Sequence, residues 1–130
     1  MKLNTTWLRN ILGVLMILAG IQHFRDPAMY GPIIPDALPK DLITYISGAV
    51  EILFGAGLFF RRVLLMASMG VLILMIGFLP LHLWDVFRDE PAMGSKLLAC
   101  IRLLLQFVLI GWAWLVYKGV RDCAARKASV

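Results

Sequence analysis

Charge is scarce in this sequence. Asp, Glu, Lys and Arg make up 16% of its 130 residues and apolar types 61%, where a soluble domain carries about a quarter charged residues. A fold of this size leaves much of its surface wet and has no interior large enough to hide so much apolar mass. A soluble globular domain is therefore excluded, and lipid is the solvent that fits. Cysteine is scarce too. Cys100 and Cys123 lie far apart in the chain, which argues against a disulfide framework or a CxxC redox pair. Both read as inert thiols. No basic stripe with interleaved aromatics is present, so the net charge of +5 is not the footprint of a nucleic-acid partner. No flavin, haem or iron–sulfur motif occurs, and no HxxH or HxxxH spacing gathers metal ligands. No intrinsic cofactor and no metal are expected. Nothing reads as an inverted repeat or a broken-helix pair, which ranks a transporter or channel last.

What the sequence has is long apolar runs. Four stand out, at about 8–24, 42–60, 63–84 and 97–117. Each is near the roughly 20 residues that cross a ~30 Å hydrocarbon core. Helices are the only local structure that satisfies the backbone there, because a lone strand would leave its amides unpaired in lipid. The expectation is one all-α domain over residues 1–130, an integral membrane four-helix bundle. The first run is the weakest, and with Lys2 and Arg9 before it resembles a secretory signal peptide. Leu18 stands where cleavage before or after Ala19-Gly20 wants a small residue. It is read as a retained helix, with Arg9 reaching back to the interface.

Residues 25–41, RDPAMYGPIIPDALPKD, hold four prolines and cannot form a long regular helix. Met29, Tyr30, Ile33, Ile34 and Leu38 make the segment too apolar for a solvated linker. It is expected to lie on the bundle as a proline-rich outer cap between helices one and two. Basic residues fix the orientation. Lys2, Arg9, Arg61, Arg62, Lys118, Arg121, Arg126 and Lys127 fall on one face; Arg25, Lys40, Arg88 and Lys96 fall on the other. The richer face is expected to be cytoplasmic, with both termini inside. Trp7, Trp84, Trp112, Trp114 and Tyr117 sit mostly near run ends, as an aromatic belt does. Gly13 and Gly20 share a helical face and suit close packing.

Ionisable residues inside a span are costly and mark sites. Glu51 is at the middle of the second run, roughly 14 Å deep. Thr44, Ser47, Gly48 and Gly55 share its face at spacings of three and four. On the fourth run, Arg102 lies roughly 7 Å deep and Gln106 one turn further, level with Glu51. A Glu51–Arg102 ion pair supported by Gln106 is expected. Two roles fit such a pair: holding helices in register, or forming the floor of a site. Gln22 and His23 end the first run and His82 lies near the end of the third, above the pair. The candidate ligand-binding set is thus Gln22, His23, Ser47, Glu51, His82, Arg102 and Gln106, a polar funnel open outward, with no catalytic residue assigned.

The segments GIQHFRDPAMYGPIIPDALP, YISGAVEILFGAGLFFRR and IRLLLQFVLIGWAW resemble the DoxX-like family of small membrane proteins. The shared order is a glycine, His-Phe, spaced prolines, Ser-Gly, a mid-span Glu, a Gly-rich end before arginines, and an Arg…Gln pair. The resemblance covers about residues 20–62 and 100–114. It implies a bacterial inner-membrane protein and carries over His23, Pro35, Pro39, Gly48, Glu51, Arg102 and Gln106. The third run departs from the family, reading FLPLHLWDVF where members carry a Phe-Pro-Ala-Asn-like sequence. The family is named for a subunit associated with thiosulfate:quinone oxidoreductase; other relatives serve methylamine utilisation and receptor assembly. Two functions follow as expectations. One is an accessory subunit linked to quinone chemistry, with the redox cofactor on a membrane partner. The other is a non-enzymatic assembly or chaperone module for membrane proteins.

Overall fold

The computed structural model describes residues 4–129, which are largely helical and contain no strand. Helix α1 spans Thr5–Arg25, α2 Lys40–Gly57, α3 Leu64–Phe87 and α4 Lys96–Ala128. Two single 3-10 turns, Pro27–Met29 and Gly31–Ile33, lie between α1 and α2. The starts and stops follow from local chemistry. The Asn4 side chain accepts from the Thr6 amide at 3.1 Å and caps α1, satisfying one of the first-turn donors. Each 3-10 turn takes a proline at its start, where the missing N–H costs nothing. Pro39 precedes α2 for the same reason. Gly94, at φ 68°, turns the chain just before α4, a backbone region that side chains with a Cβ avoid.

Three of the helices, α1, α3 and α4, are long and apolar enough to cross a membrane. The second has only 18 residues and carries Lys40, Asp41 and Glu51 among them, so it falls outside that group. The helix ends also differ from the apolar runs. Helix α2 stops at Gly57, and residues 58–63 form turns. Helix α3 runs on to Phe87, which brings Asp85 into the helix. The largest difference is in α4, which continues eleven residues past Tyr117 to Ala128. That extension, KGVRDCAARKA, is polar, so an apolar count ends before it, yet Ala, Arg and Lys sustain a helix well.

Each helix packs on its neighbours in the order α1, α2, α3, α4 and back to α1, whereas α1 with α3 and α2 with α4 make no close backbone approach among the described residues. The closest seam, α1 against α2, is built from glycine. Cβ atoms added at Gly20 or Gly48 would lie 2.6 Å and 2.8 Å from the other's carbonyl oxygen, and at Gly13 or Gly55 3.0 Å from the other's. Two glycines seven residues apart on each helix thus let the backbones touch. The ring is filled at one end only. Leu12, Met16, Leu58, Val71, Met75 and Val116 form a packed core near the chain termini. The opposite half, under the cap, is hollow.

The cap is only partly buried. Ile33 and Ile34 are buried, whereas Met29 and Leu38, expected to be covered, are exposed. The Asp36 carboxyl accepts from Lys40 Nζ, which clips the cap to the first turn of α2. That hydrogen bond, then the lysine charge, holds Asp36 below the usual carboxylate range. Because Asp36 is fully exposed, the pair carries little weight in stability. Cys100 and Cys123 are free and exposed on α4.

Candidate functional site

The hollow half holds a partly open cavity of about 850 Å³, within the size range of small-molecule sites. Its walls are mainly aliphatic, from all four helices, and its roof is made by Ala28–Tyr30, Pro32–Ile34 and by Ala92 and Met93 of the α3–α4 loop. Polar groups gather in two clusters on opposite walls.

The first cluster joins α1, α2 and the cap. His23 Nε2 lies 3.5 Å from Glu51 Oε1. The His23 ring stacks on Tyr30, with centroids 3.6 Å apart and planes at 16°. Both His23 and Glu51 are more than nine-tenths buried. His23 Nδ1 and Glu51 Oε2 have no hydrogen-bond partner, which is uncommon for buried polar atoms. The Gly48 seam is what brings this pair together, since the His23 Cβ occupies the space beside Gly48.

The second cluster joins α3, α4 and their loop around Asp85, which is 1% exposed. Asp85 Oδ1 accepts from the Ala92 amide at 2.8 Å. Its carboxylate also lies 3.7 Å from Arg88 Nη1 and 3.5 Å from Arg102 Nη1. The Oδ2–Arg102 approach is a charge contact without hydrogen-bond geometry. Arg102 Nη2 is 3.4 Å from His82 Nδ1. Arg88 lies over the Trp84 ring at 4.4 Å and donates to the Pro32 carbonyl of the cap. Gln106, buried, donates to the Met75 carbonyl.

The expected Glu51–Arg102 ion pair is therefore not formed. Glu51 pairs with His23, and Arg102 pairs with Asp85 and His82. The physical reason is the ring order: α2 and α4 are diagonal, so residues level with each other in depth face one another across the cavity. Of the expected set, His23, Ser47, Glu51, His82, Arg102 and Gln106 all line this one cavity. Gln22 does not; its amide contacts the Met29 sulfur at 4.0 Å. The candidate set left out three participants: Tyr30, Asp85 and Arg88. A signal for Asp85 was there, because it stands three residues after His82 and three before Arg88, one turn of helix on either side.

The Tyr30 hydroxyl is held above the ordinary tyrosine value of 10.0, first by burial, then by the negative charges of Glu51 and Asp26. A raised acid keeps its full contribution to stability below the ordinary value and loses it as pH rises through the raised one. In an ultraviolet titration, the difference between the native chain and Tyr30→Phe is expected to develop with a midpoint above 10.0. A midpoint at or below that value would mean the cap leaves Tyr30 in water.

The arrangement defines an all-helical protein with a cap over a mainly apolar cavity that carries two polar clusters. The chain belongs to the family described as domain of unknown function DUF8561, whose profile matches residues 12–117. That span includes every residue of the two clusters and ends where the polar extension of α4 begins. No curated protein and no solved structure matches the chain.

Proposed function

We propose that the chain is a four-span integral membrane protein whose capped cavity binds a membrane-soluble molecule with an apolar body and a small polar head. Support comes first from the outer surface, where Leu18, Leu53, Met66, Ile73, Leu104 and Val108 are each more than half exposed. Large exposed apolar surface is stable only against lipid or a partner. In a bilayer α2 completes the ring as a fourth span, its Glu51 turned inward beside His23. The excess of basic residues at the end holding both termini favours a cytoplasmic location for that end, and the resemblance to DoxX-like proteins implies the inner membrane of a bacterium. The observation that carries the reading is a buried carboxylate with a free oxygen on the wall of an 850 Å³ cavity.

The resemblance to DoxX-like proteins makes a quinone the first ligand to try. The protein would then be an accessory subunit, presenting or storing quinone for a redox partner. Lipids extracted from protein purified in mild detergent should contain quinone near stoichiometry, and a short-chain quinone should raise the Tm. Absence of co-purified quinone together with an unmoved Tm would end the quinone reading. The polar overhang of α4, with exposed Arg121, Arg126 and Lys127, favours a second reading, an assembly module that grips a membrane partner. In that case crosslinking recovers a stoichiometric partner, and removing residues 118–130 abolishes the crosslink.

A further inference from the structure

One free atom of the first cluster, Glu51 Oε2, narrows what the polar head can be. Glu51 Oε1 and His23 Nε2 face each other at 3.5 Å, which leaves the second carboxylate oxygen unengaged. A carboxylate oxygen only accepts, and Glu51 Oε2 has no donor. The described residues offer it none. Leaving a buried acceptor unpaired is costly, and more so when it belongs to a carboxylate. A molecule entering this cavity therefore binds best if it brings an O–H or N–H.

Charge narrows the choice. Across the cavity, Arg102 lines the wall and shares the single carboxylate of Asp85, set behind it, with Arg88, which leaves one positive charge in excess on that side. A cationic amine would be repelled there, and an anionic head would be repelled by Glu51. A neutral hydroxyl meets both walls. Its O–H donates to Glu51 Oε2, and it brings no charge to either wall.

Resting on the ligand-binding reading above, we infer that the cavity selects a lipophilic molecule with a neutral hydroxyl head, an alcohol or a phenol, and holds it by donation to Glu51. An oxidised quinone, having no O–H, is then the weaker ligand and its quinol the stronger.

The test uses the full chain in detergent micelles, with 4-dodecylphenol, its methyl ether and 4-dodecylbenzoate as probes. Binding is read by native mass spectrometry and by Tm. The ring and tail are constant, so only the head differs. The phenol should bind at least about tenfold more tightly than the ether, the scale of one charge-assisted hydrogen bond. Glu51→Gln should narrow that ratio and Glu51→Leu should bring it to about one, while the affinity for the ether stays unchanged. Equal binding of phenol and ether to the native chain overturns the hydroxyl inference and leaves the cavity reading standing. Benzoate binding tightest, with loss on Arg102→Leu, overturns it in favour of an anionic head. Binding of no probe at all overturns both. The native-chain comparison decides the matter even where Glu51→Leu fails to fold.

Discussion

Gly48→Leu is expected to leave no folded protein in membrane extracts, and Gly48→Ala to lower stability by about 1–3 kcal/mol, the scale of overpacking in a tight interior. A Cβ at this position would sit 2.6 Å from the His23 Cβ and 2.8 Å from the Gly20 carbonyl oxygen. Neither neighbour can yield cheaply, because one is backbone and the other is the root of a side chain held by Tyr30 and Glu51. The remaining response is for α1 to move away from α2, and that carries His23 away from Glu51. The effect on the site should therefore exceed the effect on the fold: Gly48→Ala should weaken binding of a hydroxylated probe while the protein still purifies. The control lies in the same molecule. Gly77 and Gly111 are also helical, but a Cβ at either meets nothing within 4 Å. Gly77→Ala and Gly111→Ala should be neutral or slightly stabilising, since alanine is the better helix former. Thermal and denaturant unfolding of the three alanine variants separates the cases. If all three behave alike, the α1–α2 seam is not as close as described.

That seam shows how far the residues alone could lead. Gly13 and Gly20 announced a packing face by their spacing, and Gly48 and Gly55 marked the inward face of the second run. Antiparallel pairing of two helices joined by a short cap then sets those faces together. The helices themselves were legible because lipid-type apolar runs are long and few residues interrupt them. The extension of α4 was not, because it is polar and carries no apolar boundary to read. Depth along each helix was also legible, which is why six of the seven expected site residues line one cavity. Partner choice was not. Depth places Glu51 and Gln106 at one level but says nothing of whether their helices are adjacent or diagonal. An arginine can reach a carboxylate on a neighbouring helix and fail to reach one across a void. Adjacency is set by packing across the whole ring, and no local pattern in the sequence encodes it.

Asp85→Ala is expected to be the most damaging change to a charged residue in the molecule. Asp85 is 1% exposed and answers to three groups at once: the Ala92 amide, Arg88 and Arg102. Removing it leaves Arg102, itself largely buried, facing His82 and an aliphatic cavity with no counter-charge. Breaking a buried pair from one side costs about 3–5 kcal/mol, because the orphaned charge is still desolvated. The double variant Asp85→Ala with Arg102→Leu removes both charges and should recover a good part of that loss, giving a coupling energy that distant residues do not show. Asp85→Asn should fall between, since its amide oxygen still accepts from Ala92 while the charge is gone. The damage should also spread to the roof. Arg88 is held by Asp85 and Trp84 while it donates to the Pro32 carbonyl, so loss of the carboxylate loosens both the α3–α4 loop and the cap. Hydrogen exchange should then rise together in residues 88–95 and 30–34, with the Gly48 seam unaffected. An Asp85→Ala protein that melts with the native chain, or in which only one of the two segments exchanges faster, would show that the cluster around Asp85 neither stabilises the bundle nor ties its roof together.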